Sequence, residues 1–183
     1  MQSSRVLPVA ILLSALSPTA FADGFVLDSQ SFGSGTTLSN SQVYNQRECH
    51  GGNLSPQLSW SGAPEGTQSY AVTMFDTDAR DGRGLWHWVL FDIDAKTMSL
   101  PVGAGDANKA PLGSSSARNG MGDLGYSGPC PPQDEKQHHY VVTVYALRAE
   151  HIGLRQGADA ETAKQAIESN AIASATAQAV YGR

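Results

Sequence analysis

Three stretches of the chain are apolar at nearly every position. Ser69–Asp76 (SYAVTMFD), His87–Ile93 (HWVLFDI) and His139–Leu147 (HYVVTVYAL) are rich in β-branched and aromatic residues, which predicts strands. None of them alternates strictly between apolar and polar residues, so both faces of the sheet they build are expected to be covered. Phe25–Asp28 and Gln57–Trp60 are shorter and are expected at sheet edges. The linking stretches Ser61–Gly66, Thr77–Gly84 and Pro101–Ser127 are rich in Gly, Pro, Ser and Asp and read as turns and loops. Several strands separated by such turns point to a β-sandwich, or to one large sheet with covering elements.

The period changes near the C-terminus. From Asp159, the sequence DAETAKQAIESNAIASATAQAVYG places Ala163, Ala166/Ile167, Asn170, Ala173, Ala177 and Val180/Tyr181 three or four residues apart. That spacing predicts a helix, with Asp159 as N-cap and Gly182 as stop. Ser169-Asn170 is weak helical sequence, so the segment reads as one helix or two short ones. Its other face is not basic, and it is expected to cover the core rather than lie on a membrane.

The N-terminus belongs to a different class. Val6–Leu16 (VLPVAILLSAL) is an apolar run of about ten residues behind a single charge at Arg5, and Ala20-Phe21-Ala22 follows it with small residues at the −3 and −1 positions of a cleavage site. The run is too short for a membrane span. Residues 1–22 therefore read as a signal peptide, with residues 23–183 as one domain, and the reading places the mature protein in the periplasm. The competing reading of the run is a buried N-terminal strand.

Of 183 residues, 12 are Lys or Arg and 17 are Asp or Glu, and loss of Arg5 takes the formal charge from −5 to −6. With this mildly acidic balance and no cluster of Lys/Arg, nucleic acid is not an expected partner. No later segment is long and apolar enough for a transmembrane anchor. Cys49 and Cys130 both lie in loops beside glycines, and in an oxidising compartment such a pair favours a disulfide; two free thiols, one of them lining a site, is the alternative. Their spacing excludes a CxxC redox motif and a zinc knuckle.

Chemistry concentrates at strand ends. Asp76 ends one predicted strand and His87 begins the next, so antiparallel pairing makes them neighbours at one pole of the sheet. His138 and His139 open a third strand after Gly-Pro-Cys-Pro-Pro (128–132). If that strand runs parallel to the His87 strand, its start falls at the same pole. Imidazole N–H groups and the Tyr140 hydroxyl would make a cup of donors suited to phosphate or carboxylate, with Asp76 orienting an imidazole and raising its pKa. The same Asp76, His87 and His138 could hold a metal for hydrolysis. There is no HExxH, and no acid near His138 suits the part of general base. There is also no G-x-S-x-G elbow, so nucleophilic catalysis is disfavoured.

Four stretches together resemble the phosphatidylethanolamine-binding proteins, in particular their bacterial, Raf kinase inhibitor-like branch. These are NLSPQLSWSGAPEGTQSYAVTMFDTDA (53–79), WHWVLFDI (86–93), GYSGPCPPQDEKQHHYVVTVYAL (125–147) and VYGR (180–183). The resemblance covers essentially all of the mature chain. It implies a mainly β fold, a sandwich with a large central antiparallel sheet, a smaller sheet and peripheral C-terminal helix or helices. It also implies a small pocket for phosphate-like, acetate-like or phosphoryl groups.

Matching positions assign ligand binding to Asp76, His87, Cys130, Pro131, His138 and Tyr140, and put Asp78, Arg80, Trp86 and Pro132 on the rim. His139 falls on the alternate face, since residues two apart share a face. The family's D-P-D-x-P loop reads Asp76-Thr77-Asp78-Ala79-Arg80 here, without prolines, which predicts a less rigid wall with Arg80 reaching over the rim. Its approach to the GYxGP block reads Asn119-Gly120-Met121-Gly122, which predicts a looser loop. Gln133–Gln137 is charged and expected to be solvated.

The implied function is binding of a small anion or phosphoryl group, with no cofactor and no catalysis, and with modulation or inhibition of a partner protein as a further role. A homodimer and a separate protein partner are both compatible with the sequence. Eukaryotic relatives bind and inhibit kinases, which a secreted bacterial-type protein would not meet in its compartment.

Overall fold

The computed structural model describes residues 24–183, so the signal-peptide reading of residues 1–22 and its cleavage point before Asp23 lie outside the described residues. The strands are β1 (Val26–Asp28), β2 (Leu58–Ser61), β3 (Ser69–Asp76), β4 (Leu85–Asp94), β5 (Ser99–Leu100), β6 (Ser115–Ser116), β7 (His138–Leu147) and β8 (Ala171–Tyr181). They form two antiparallel sheets, a small one in the order β1-β2-β5 and a large one in the order β6-β4-β3-β7-β8. A short helical turn, α1 (Ala79–Gly82), follows β3, and one longer helix, α2 (Ala160–Asn170), precedes β8.

The three apolar stretches occupy the centre of the large sheet, and both of its faces are covered, as their lack of alternation predicts. On one face Tyr70, Val72, Met74, Trp88, Leu90, Val142 and Val144 pack with Leu58, Trp60 and Leu100 of the small sheet. On the other, Ala71, Val89, Phe91 and Leu147 meet Ala160, Ala163 and Ile167 of α2. Burying such side chains contributes about 1.5–3 kcal/mol each, so the two sheets and the helix are held mainly by this double core.

The C-terminal segment corrects the helical reading. The helix begins where predicted, with the Asp159 carboxylate accepting from Glu161 N (3.0 Å) and Thr162 N (3.1 Å). It ends at Asn170, and Ala171–Tyr181 runs as β8 beside β7, from Leu147↔Ala171 to His138↔Tyr181. Ala173, Ala175, Ala177, Ala179 and Tyr181 all face the core between the sheets. Their period of two coexists with the spacing of four at Ala173 and Ala177, and Ala's helix preference hides it. The gain from pairing the whole length of β7 decides in favour of the strand. Gly182 therefore follows a strand and does not cap a helix.

Strand directions set up the site. β3 lies between β4 and β7 and is antiparallel to both, so β4 and β7 run parallel to each other and start where β3 ends. Asp76 pairs with Leu85 on one side and Tyr140 on the other.

Candidate functional site

At this pole a bulge in β4 aims His87. Phe75 pairs with Trp86 and Met74 with Trp88, leaving His87 as the extra residue between them. Val89 and Phe91 face α2, so uninterrupted alternation would turn His87 to that side as well. The bulge rotates it to the opposite face, where its ring meets Tyr140 edge-on at 5.2 Å. The same shift sends Trp86 to the α2 side, where it packs against Phe75 (4.4 Å between ring centroids) and donates Nε1–H to Glu161 (3.1 Å). Trp86 is therefore not on the pocket rim. A two-residue period read without the bulge puts it on the wrong face.

Asp76, His87, His138 and Tyr140 come together, with 2, 1, 5 and 0 % of their surfaces exposed. Carboxylates and imidazoles this buried must be paired. Asp76 Oδ1 accepts from the backbone N–H groups of Asp78 (2.9 Å) and Ala79 (3.0 Å), and Oδ2 accepts from His138 Nδ1 (2.8 Å). The two backbone bonds close the turn after β3, so this wall is held by a carboxylate where the family pattern has prolines. Beyond it, Arg80 (φ 57°) and Asp81 (φ 59°) are both left-handed, a conformation that costs non-glycine residues about 1–2 kcal/mol each. Arg80 does reach the rim, where its guanidinium donates to the Gly120 carbonyl (2.8 Å).

His138 carries charge more readily than an ordinary imidazole. Burial pulls it down, but the hydrogen bond and charge of Asp76, aided by Glu135, outweigh burial and raise it. Glu135 Oε2 lies 3.3 Å from His138 Nε2, so the Gln133–Gln137 segment is not merely solvated: one of its carboxylates closes over the pocket. His87 behaves oppositely. Its Nδ1 bonds the Ser127 carbonyl (2.6 Å), which fixes Nδ1–H as donor. Burial is the dominant influence and lowers the imidazole below its usual range, against the raising effects of Ser127 and Asp76. Its Nε2 is buried without a hydrogen-bond partner, 3.9 Å from Asp76 Oδ2. The Tyr140 hydroxyl is also buried and unpartnered. Burial, and then the charge of Asp76, raise its phenol, yet it lies outside hydrogen-bond geometry with that carboxylate.

Above these groups opens a cavity of about 620 Å³, lined by Asp76, His87, His138, Cys130, Pro131, Pro132, Asp78 and Arg80 among the residues named from sequence. Tyr140 stands behind this lining, braced against His87. His139 is outside it, exposed, with its backbone N–H (2.7 Å) and Nδ1 (2.9 Å) on Asp78, as two-residue alternation predicts.

The remaining wall was not legible: Tyr44, Arg47, Glu48, Leu85 and Met121 also line the cavity. The first three sit in a loop with no periodicity, tied to the Cys130 loop by the Cys49–Cys130 disulfide (Cα–Cα 6.0 Å) and by Tyr44 N–H to the Pro129 carbonyl (3.1 Å). Gly128 permits that approach, since a Cβ there would overlap the Gln42 carbonyl. Arg183 bonds Pro131 O through Nε and Glu48 through its terminal nitrogens, stitching both loops together.

The Asn119–Gly122 loop is not loose. Asn119, 5 % exposed, donates to Gly125 O (3.0 Å) and Ser127 Oγ (2.8 Å) and accepts from Met121 N (2.9 Å) and Asp123 N (3.1 Å). Its amide thereby holds the segment whose Ser127 carbonyl orients His87. Among the described residues no group of three or more His, Cys, Asp or Glu side chains is arranged to hold a metal ion.

Comparison with known proteins agrees with this architecture. The family model for phosphatidylethanolamine-binding protein matches residues 28–182. UPF0098 protein YbcL of Escherichia coli is 40% identical over 179 residues, 97% of this chain and 98% of that protein. UPF0098 protein YbhB of the same organism is 38% identical over 148 residues, 80% and 93% of the two chains. The crystal structure of E. coli YbcL superposes with a TM-score of 0.83, covering 87% of this chain and 98% of that one. A Chlamydia trachomatis homologue, CT736, gives a TM-score of 0.73 at 25% identity, covering 88% and 99%. The chain belongs to the phosphatidylethanolamine-binding protein family.

Proposed function

We propose that the protein is an extracytoplasmic, non-catalytic binding protein whose pocket captures a small acidic group of the phosphoryl or carboxyl type. One observation carries the reading: His87 Nε2 is buried without a partner in the cavity lining, at a floor already ordered by Asp76 and a positively biased His138, with the unpartnered Tyr140 hydroxyl behind it. Leaving the His87 nitrogen unpaired costs about 1–3 kcal/mol, which a bound ligand would recover. No residue in the cluster has the geometry of an activated nucleophile, so the reading is capture and not turnover.

A place outside the cytoplasm is supported by the disulfide and by the signal-like N-terminus, and within that reading we place the protein in the periplasm. A relative named "Putative lipoprotein LppC" from Mycobacterium tuberculosis, 33% identical over 160 residues, is in keeping with it. Titration calorimetry with phosphate tests the site: His138→Ala and His87→Ala are each expected to weaken binding at least tenfold. Unchanged affinity in both would reject this pocket as the binding site.

A further inference from the structure

A strand at the edge of a sheet presents a row of unpaired N–H and C=O groups, and the edges of this fold are treated unequally. The small sheet ends in β1 and β5 and the large one in β6, strands of three, two and two residues, too short to template another chain. The other edge of the large sheet is β8, 11 residues (AIASATAQAVY) with neither a charge nor a proline. Charged side chains and prolines are the usual guards of such an edge.

Part of β8 is covered. Gly35 N–H donates to the Gln178 carbonyl (2.7 Å), Leu38 N–H to the Val180 carbonyl (2.9 Å), and Val180 N–H to the Thr36 carbonyl (3.0 Å). Gln178 and Val180 therefore turn their backbone groups away from β7. Along an antiparallel strand that direction alternates residue by residue, and the β7–β8 register is unbroken from Tyr181 to Ala173. Ser174 and Thr176 thus share the outward direction. Both are exposed, and among the described residues nothing pairs with their outward N–H and C=O groups. A register shift beside Ile172 ends the regular edge on the other side.

The bare window, residues 173–177 (ASATA), is complementary to itself. Paired antiparallel about Ala175 with the same window of a second copy, Ser174 stands opposite Thr176 of that copy, and every outward group of both residues is satisfied. Ser and Thr opposite each other are a favourable cross-strand combination. On the other face alanine meets alanine, so the backbones approach without a clash. The chain carries a net charge of −5, so contact between copies is easiest along a strip without charge, and this strip has none.

We propose that the bare edge of β8 is the interface of a two-fold dimer, in which residues 173–177 pair antiparallel with their counterparts and join the two five-stranded sheets into one. Strand direction reverses across the axis, so the pole where β8 ends, with the cavity above Asp76, points opposite ways in the two copies. The interface stands whatever that cavity binds.

Sedimentation equilibrium of the protein over a wide concentration range, combined with hydrogen exchange at the Ser174 and Thr176 amides, tests it. We expect twice the chain mass at high concentration, with both amides exchanging at least roughly tenfold more slowly than in dilute monomer. Thr176→Pro removes only a donor that points away from β7, where an edge strand tolerates proline, and Thr176→Lys puts a charge on the strip; each should leave the protein monomeric. The wild-type exchange data decide the matter even if a variant fails to fold. A monomer at every concentration would overturn the interface, and so would a dimer whose two amides stay unprotected, since its contact lies elsewhere. Full protection already present in the monomer would mean that another part of the chain covers β8, and would overturn it as well.

Discussion

Replacing Asp76 by Asn removes one charge and almost no volume, so it isolates what the carboxylate does. The Asn side-chain oxygen can still accept from the Asp78 and Ala79 N–H groups, which preserves the turn after β3. The 2.8 Å bond to His138 Nδ1 changes in kind. A hydrogen bond between charged groups contributes about 1.5–3 kcal/mol and a neutral one about 0.5–1.5, so the loss should be near 1.5 kcal/mol. For a domain of this size, each kcal/mol is worth about 2–4 °C, giving a fall in Tm of roughly 3–6 °C at pH 5.5.

The loss depends on pH with a definite sign. His138 is raised in the folded protein, so the stability gained from protonating it is fully present below its unfolded pKa of about 6.5 and fades as pH rises through the higher folded value. The difference between wild type and Asp76→Asn should therefore shrink by at least half between pH 5.5 and 9. Urea denaturation across that range measures it, and NMR titration of the His138 ring should show its midpoint moving down in the variant. A loss of equal size at every pH, or an unmoved His138 titration, would refute the ion-pair account.

Two further outcomes follow from the walls of the pocket. The disulfide closes a span of 81 residues, so a double Cys49→Ser/Cys130→Ser variant should lose about 2–4 kcal/mol in denaturant titration, with less than 1 kcal/mol contradicting its role; thiol titration should find two thiols with reductant and none without. Because the exposed Glu135 carboxylate sits on His138 Nε2, where an incoming acid would compete, Glu135→Gln should tighten phosphate binding about three- to fivefold by calorimetry, the scale of a solvent-screened pair. Weaker binding in that variant would mean that Glu135 assists the ligand.

Much of this arrangement was legible in the sequence because strand ends are local. Asp76 closing one apolar run, and His87 and His138 opening two others, needed only antiparallel pairing through β3 to meet. What escaped depended on events that no periodicity records. The β4 bulge moves Trp86 off the pocket face and His87 onto it, yet a bulge is one residue with no sequence signature here. The alanines of β8 satisfy a period of two as well as a helical one, and only the open edge of β7 decides between them. Arg47 and Glu48 reach the cavity through a disulfide-tied loop, and Glu135 through a turn with left-handed Asp134 (φ 65°), so tertiary contacts alone place them. Asn119 was visible as a departure from the family pattern, but its five-way hydrogen bonding was not.

The central claim is that Asp76, His87 and His138, with Tyr140 behind them, form the floor of one acid-binding pocket. A crystal of the protein soaked in phosphate at pH 6 tests it most directly. The account predicts a phosphoryl group with one oxygen within about 3 Å of His87 Nε2, as hydrogen bonding requires, and the Glu135 carboxylate displaced from His138. Phosphate bound only at the rim arginines, or a floor that stays closed at saturating ligand, would contradict it.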